Sequence, residues 1–361
     1  MPCVVRRSVL IATSVEAARQ ELKNFCRNKG NFMKSIIRRC AFGLAAAILA
    51  GAGAHAQEDT DAFPTKPVYV VVPYGAGSAA DTLARTMAQK LSEIWNQSVI
   101  VENKPGGVGT IGINLVVRSP ADGYTLVSVP VSDLAVNPHL YRTRPFDVFK
   151  DLAPVSQVGA ALNVLVVSPA LGVKNGKELI ALAKSKPDGL TYSSPGVGSQ
   201  AHLAAAMFGL AAGIKMQHIP YNGVAAALND VVGGQVDIMF AQLPSALPMI
   251  QAGRAQALGM ASERRSSLAP DIPTLEESSG VSIGDAVSWS GLMAPAGTPL
   301  ALREKIAAAV TQAMRSPDIQ KRLAVMGTVG LGGTPQELAK AMQDDSNRYG
   351  NVIKTLGIKL D

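Results

Sequence analysis

Cysteine is confined to one end of this 361-residue chain: Cys3, Cys26 and Cys40 fall within the first 56 residues and none follows. That excludes disulfides, thiolate metal sites and a cysteine nucleophile from the body of the protein. Histidine is almost as scarce. Beyond residue 56 only His139, His202 and His218 occur, with no H-x-x-x-H or H-E-x-x-H pair, so no zinc-type ligand set is offered. No G-x-S-x-G elbow and no S-x-x-K is present, which removes two common nucleophile signatures and leaves an exported hydrolase without a candidate. Aromatic residues make up only 5%. The formal charge of +7 belongs to the N-terminus: nine Lys/Arg and two Asp/Glu lie in residues 1–56, leaving 25 of each sign in the rest. A neutral body poor in aromatics has no surface for tracking phosphates, so nucleic acid is not an expected partner. Internal repeats and low-complexity tracts are also lacking.

What is present begins with a leader. Lys34, Arg38 and Arg39 precede a short apolar run, Ala41 to Ala50, and Ala54-His55-Ala56 makes a small-x-small cleavage site. The run is too short to span a bilayer comfortably. Residues 33–56 therefore read as a signal peptide cleaved between Ala56 and Gln57, residues 1–32 as an over-extended start, and the mature chain as periplasmic. Cys40 precedes the apolar core, which is the wrong place for a lipoprotein cysteine. A chain 47% hydrophobic and 17% charged overall suits a soluble protein of more than one lobe.

The organising stretch is Val68 to Asp81, V-Y-V-V-V-P-Y-G-A-G-S-A-A-D. A β-branched run feeds a glycine-bearing turn, and Leu83, Met87, Leu91 and Ile94 then follow at helical spacing. Such a turn leaves main-chain N–H groups without partners, and with the helix dipole they form an anion site that needs no Lys or Arg. Further strand-like runs at Ser98 to Val101 and Tyr124 to Val129 make a βαβαβ alternation, which predicts an α/β fold with a mostly parallel sheet. Val155 to Val167 is a long strand-like run that could cross between lobes. A second α/β unit follows, and Trp289 to Ala294 reads as a strand returning to the first. Thr298-Pro299, Ser316-Pro317 and Thr334-Pro335 each predict a hydroxyl N-cap before a helix-starting proline, with Glu337 placed for a capping box.

Three loops look alike: Gly75-Ala-Gly77-Ser-Ala-Ala80, Gly107-Val-Gly109-Thr-Ile-Gly112 and Gly196-Val-Gly198-Ser-Gln-Ala201. The first two resemble a dinucleotide fingerprint, and Glu102 ends a strand where a ribose-binding acid would stand, so a nicotinamide-dependent oxidoreductase is one reading. Against it stand the export signal, the repetition of the pattern and the lack of a catalytic set. The other reading is a pair of facing anion cradles. Ser78 caps one helix with Asp81 three residues on, and Ser199 caps another with His202 in the matching place. Ser288-Trp289-Ser290-Gly291 reads as strand packing, and Tyr221, after the strand ending at Pro220, as a turn that could wall a pocket.

Together these segments resemble the substrate-binding receptors of tripartite tricarboxylate transporters, the Bug/TctC type. The likeness runs over the whole body. It is carried by Val71-Val-Pro-Tyr74 with Gly77 and Asp81, Val101-Glu-Asn-Lys-Pro-Gly-Gly107, Asp122-Gly-Tyr-Thr-Leu126, Lys177-Glu-Leu-Ile-Ala-Leu-Ala-Lys184, His218-Ile-Pro-Tyr-Asn-Gly223 and Ala294-Pro-Ala-Gly-Thr-Pro299. The resemblance implies a two-lobed periplasmic binding protein of the type II, Venus flytrap kind, each lobe a mostly parallel sheet flanked by helices. Lobe 1 would comprise residues 57–163 and 288–361, and lobe 2 residues 164–287.

It further implies a small organic acid as ligand, no cofactor and no catalysis. Integral-membrane transporter subunits or a sensor protein would be the partners. Carried over residue by residue, the ligand-binding set is Tyr74, Gly75, Ala76, Gly77, Ser78 and Asp81 from the first loop. Ser193, Ser194, Gly196, Val197, Gly198, Ser199 and His202 come from the second, with Tyr221 and Gln242 as walls. Where relatives often have Asp-Asn after the strand Val236 to Phe240, this chain has Ala241-Gln242, which points to a less polar or differently charged ligand.

Overall fold

The protein is described from a computed structural model covering residues 62–141 and 143–358; the expected signal peptide lies outside the described residues. The chain opens with β1 (Val68–Val72), α1 (Ala79–Trp95), β2 (Val99–Asn103), α2 (Thr110–Val117) and β3 (Thr125–Pro130). A π-helical turn (Ser132–Val136) and the short α3 (Asn137–Leu140) lead to β4 (Leu152–Ala161) and β5 (Asn163–Val167). Next come α4 (Gly176–Ser185), β6 (Leu190–Ser194), α5 (Gln200–Ala212), β7 (Met216–Pro220) and α6 (Val224–Val232). The second unit ends with β8 (Ile238–Gln242), α7 (Leu243–Gln251), β9 (Gln256–Met260) and α8 (Leu275–Ser279). Then β10 (Ser288–Pro295), α9 (Leu300–Arg315), α10 (Pro317–Val325), β11 (Thr328–Gly330) and α11 (Pro335–Leu356) close the chain.

Two sheets result, ordered β11-β4-β10-β3-β1-β2 and β7-β6-β8-β5-β9. Within the first, β1 to β4 share one direction and β10 and β11 oppose it; within the second only β5 opposes the rest. The direction is thus mostly parallel, as expected, but the pairing is mixed because β10 and β5 are inserted between strands that run the other way. Both inserted strands lie at crossings. A single residue, Leu162, separates β4 in one sheet from β5 in the other.

The strand-like run expected over Val155 to Val167 does pass between sheets, and it divides at Leu162 into two strands. β4 pairs in the six-stranded sheet, β5 in the five-stranded one. Buried Asn163 secures the junction: its Nδ2 donates to the Ala286 carbonyl at 2.7 Å, and its own carbonyl accepts from Ala261 N–H at 2.8 Å. The last helix ties the two sheets again. On α11, Asp345 accepts from Trp289 Nε1 at 2.6 Å, Ser346 Oγ meets His139 Nε2 at 2.8 Å, and Tyr349 Oη donates to Gln200 Oε1 at 3.0 Å.

Local chemistry accounts for the elements. In α1, Leu83, Met87 and Leu91 are buried on one face and share a core with Val70, Val155, Leu292 and Val310. Burial of each such side chain stabilises by roughly 1.5–3 kcal/mol. Gly112 lets α2 approach the loop after β1: a Cβ there would lie 2.9 Å from Pro73 Cα and from the Lys104 carbonyl.

The three expected hydroxyl caps fare differently. Thr334 forms the full capping box with Glu337. Ser316 instead donates to the Ala313 carbonyl at 2.7 Å. At α9 the N-cap is Pro299, and Thr298 Oγ1 is buried without a partner. Urea unfolding should therefore separate them. Thr334→Val is expected to cost about 1 kcal/mol, while Thr298→Val, which removes an unsatisfied buried hydroxyl, should leave stability unchanged or raise it.

Candidate functional site

The two serine-capped glycine loops have the same internal grammar. In the first, Ser78 N–H donates to the Gly75 carbonyl at 3.2 Å and Asp81 N–H to Ser78 Oγ at 3.2 Å. In the second, Ser199 N–H donates to the Gly196 carbonyl at 3.3 Å and His202 N–H to Ser199 Oγ at 3.3 Å. Gly77 and Gly198 have φ of +80° and +76°, which only glycine adopts without strain. Each sends its N–H to the side chain four residues on: Gly77 to Asp81 Oδ2 at 2.8 Å, Gly198 to His202 Nδ1 at 3.0 Å. Several donors that a ligand might have used are therefore already occupied.

The chemical difference between the loops lies in that fourth residue. Asp81 is a buried carboxylate that also accepts from Asn103 Nδ2 at 2.8 Å and pairs with Arg85. Burial works to raise its pKa, but hydrogen bonds from Arg85, Gly77 and Asn103 outweigh it and hold the group below the ordinary carboxylate range. A fixed negative charge thus sits in the first turn of α1, where it neutralises the helix dipole. His202 is neutral: burial, then the neighbouring His218, pushes its pKa down to about 4. The parallel register of β6 and β7 pairs Tyr192 with His218. The His202 ring stacks on His218 with centroids 4.0 Å apart and planes 8° from parallel, and His218 stacks on Tyr192 at 4.9 Å. His218 Nε2 lies 2.7 Å from Ser194 Oγ, which donates to the Gly196 carbonyl at 2.9 Å.

A cavity of about 280 Å³ lies where the two sheets meet. Pro130, Ser132 and Ser288 reach it from the six-stranded side. Asn163, Ser199, Gln200, Ala201, Val224, Met239, Phe240 and Gln242 line it from the five-stranded side. None of its lining residues is charged. Its polar wall is the start of α5, whose Gln200 and Ala201 N–H groups have no acceptor among the described residues. Gln200 Nε2 is likewise buried and without a partner.

Of the expected residues, Ser199 and Gln242 line this cavity. Gly196 and Gly198 shape the turn beside it, and Val197 is exposed. Ser193 Oγ donates to the Ala227 carbonyl at 2.9 Å, and Ser194 serves the turn, so both hydroxyls support the loop from beneath. Tyr221 donates to Asp230 at 2.5 Å. Gly75, Ala76 and Gly77 are exposed and, with Ser78, do not line this cavity; Asp81 faces into its own loop. Tyr74 connects the first loop to the cavity rim indirectly, donating at 2.7 Å to Asp133, the neighbour of Ser132. Asp133 is fully buried, and that burial raises its carboxyl to about 6 despite Tyr74, Arg144 and Asn137.

Sequence reasoning missed Gln200, Ser132 and Asn163, and read Ser288 as packing. Gln200 had a usable signal: it follows the Ser199 cap, at the first helical position. Ser132, Asn163 and Ser288 had none, because they are brought together by the crossing of the sheets. A wider hollow of about 740 Å³, between residues 262–267 and α11, is lined by charges of both signs. Its Arg348 is paired with Asp345 and its Arg265 with Glu277. Among the described residues no cluster could hold a metal ion, and no helix is long and apolar enough to cross a membrane.

Two α/β sheets with a crossing between them, and an uncharged cavity at the junction headed by a helix N-terminus, define a two-lobed solute-binding protein. The chain belongs to the tripartite tricarboxylate transporter family receptor group, which matches residues 83–358. It is 34% identical to protein BugT of Bordetella pertussis (strain Tohama I) over 313 residues, covering 86% of this chain and 96% of BugT. Among solved structures it resembles an R. palustris protein with adipate, at 32% identity and a TM-score of 0.68, covering 82% of this chain and all of that one. It also resembles MatC from Rhodopseudomonas palustris with bound malate, at 28% identity and a TM-score of 0.63, covering 81% and 100%. The nicotinamide reading finds no support in these likenesses. Asp81, in the first turn of α1, would also repel a pyrophosphate.

His202 and Asp133 should give opposite pH signatures. His202 titrates at about 4 in the fold and near 6.5 when unfolded, so acidification through that window favours the unfolded chain and removes stability. Asp133 titrates at about 6 in the fold, above its ordinary value of 3.8; its contribution is present below 3.8 and lost as pH rises through about 6. In urea unfolding between pH 7 and 4, the stability advantage of wild type over His202→Gln should shrink as pH falls. The advantage over Asp133→Asn should grow. Flat differences for both variants would contradict this assignment.

Proposed function

We propose that the protein is a non-catalytic receptor that captures a small organic carboxylate in the cavity between its sheets. The observation that carries this reading is the start of α5, where Gln200 and Ala201, whose main-chain N–H groups have no acceptor among the described residues, line an uncharged and largely apolar cavity beside a helix dipole. Relatives with adipate and malate support the ligand class. On this reading Ser199, Gln200, Ala201 and Gln242 touch the ligand. Ser193, Ser194, Gly196, Gly198 and His202 hold the turn, and Asp81 does the same for the first loop.

The lobes are residues 57–163 with 288–361, and 164–287. The split at Leu162, which puts Asn163 with the five-stranded sheet, and the start of β10 at Ser288 support limits within a residue of these. Hinge closure about these crossings would carry Tyr74, Gly75, Ala76, Gly77 and Ser78 toward the ligand. The loaded receptor would then dock on the integral-membrane subunits of a tripartite transporter, or on a sensor. Export with cleavage after Ala56 would deliver it to the periplasm, and mass spectrometry of the mature chain tests that step.

Calorimetric titration tests the ligand class. Adipate and malate should bind, their uncharged amides should not, and NAD should leave the melting temperature unmoved. Ala201→Pro removes one N–H donor in the first helical turn, where no intrahelical hydrogen bond is lost, and should weaken carboxylate binding about 10- to 100-fold. Amides binding as well as acids would refute the reading.

A further inference from the structure

Gly77 and Gly198 each give a main-chain N–H to the side chain four residues on, and neither has another acceptor for it among the described residues. The two acceptors answer a proton differently. Asp81 is a carboxylate that Arg85 and Asn103 also bond, and it stays ionised below the ordinary carboxylate range. His202 Nδ1 accepts from Gly198 at 3.0 Å, which requires that nitrogen to be bare, so the single proton of the neutral ring sits on Nε2. A second proton would go to Nδ1 and set N–H against N–H. The acceptor would become a donor, and the bond to Gly198 would be lost.

The surroundings resist that proton while the turn is closed. His202 is buried, and the ring stacked 4.0 Å from it belongs to His218, a group that can itself become positive. The elements packed most closely on α5 are β6, β7, β8 and α11. β8 carries no titratable side chain, β6 brings Tyr192 and β7 brings His218. α11 brings Tyr349, with Asp345 beside it already bonded to Arg348 and Trp289. A charged His202 is therefore better accommodated outside the turn than within it.

We infer that His202 is an acid-sensitive latch on the second glycine turn: neutral, it holds the Gly198 N–H; protonated, it lets the turn open, while the first turn, latched by Asp81, stays shut. The latch is a property of the turn and does not depend on what the cavity binds. The turn ends at Ser199 and Gln200, which line the cavity, so the latch ties the shape of that wall to pH.

Amide hydrogen exchange, resolved by residue with NMR on the mature chain without ligand, tests the latch between pH 7 and pH 5. Opening frees a ring that titrates near 6.5 in water, against about 4 in the closed turn. Opening thus takes up a proton and becomes easier as pH falls. With rates divided by the intrinsic exchange rate at each pH, protection of Gly198 should fall about 20-fold from pH 7 to pH 5. Gly77 should show no trend, because its acceptor is ionised throughout. Val70, buried in β1, should stay better protected than Gly198 at both pH values, which separates opening of the turn from unfolding of the chain.

His202→Asn puts a carbonyl oxygen that does not titrate in place of Nδ1, and should flatten the Gly198 profile while keeping its protection at pH 7. Ring-nitrogen NMR of the wild-type protein needs no variant to fold, and should show His202 with Nδ1 bare and Nε2 protonated at pH 7. A proton on Nδ1 at pH 7 overturns the inference. So does Gly198 protection that ignores pH, that equals Val70 at both pH values, or that falls as steeply in folded His202→Asn.

Discussion

The site depends on a constraint of the peptide backbone: the opening turn of a helix has N–H groups that the helix itself cannot satisfy. In this protein the turn Gly196–Ser199 disposes of some of them internally. Gly198 N–H goes to His202, and His202 N–H to Ser199 Oγ. The N–H groups of Gln200 and Ala201 remain without an acceptor among the described residues, and both residues line the cavity where the two sheets meet. On the proposed reading an anion would be held there without a basic side chain, in a body whose formal charges balance and a cavity whose lining is uncharged.

The first glycine loop follows the same rules of turn and cap but ends with a different electrostatic state. Its fourth residue is the carboxylate of Asp81, held ionised by Arg85, Gly77 and Asn103. The second loop has neutral His202 there, its proton kept off by burial and by the ring of His218. A helix whose first turn already carries a negative charge is the poorer anion receptor of the two. The likeness of the loops is therefore one of geometry. Their difference of charge gives them unequal parts, with α5 presenting donors and the first loop attached to the rim through Tyr74 and Asp133.

The sheets are joined by strand crossings, by α11 and by a shared apolar cluster. A single residue, Leu162, separates β4 from β5, and buried Asn163 bonds the outgoing strand to the returning segment at Ala286. Away from these strands, α11 supplies a second tie, with Trp289, His139 and Gln200 as its points of contact. One apolar cluster runs through residues of both sheets, while two others lie within one unit each and resist deformation there.

By itself the sequence determined what depends on near neighbours. The β-branched run Val68 to Val72, the stripe Leu83, Met87 and Leu91, the Ser78 and Ser199 caps and the Thr334–Glu337 box follow from spacings of two to four residues. They can be read directly because hydrogen bonding and side-chain periodicity act over that range. The family likeness was legible for the same reason, in short motifs at glycine turns. Tertiary structure alone decided which caps face a ligand cavity and which fasten only their own helix. It also decided that β5 and β10 enter their sheets antiparallel, that Thr298 is left out of the cap, and that Gln200, Ser132, Asn163 and Ser288 share one wall. Those outcomes depend on strands meeting across dozens to well over a hundred residues of chain, where no local preference of a serine or a glutamine records which neighbour it will have.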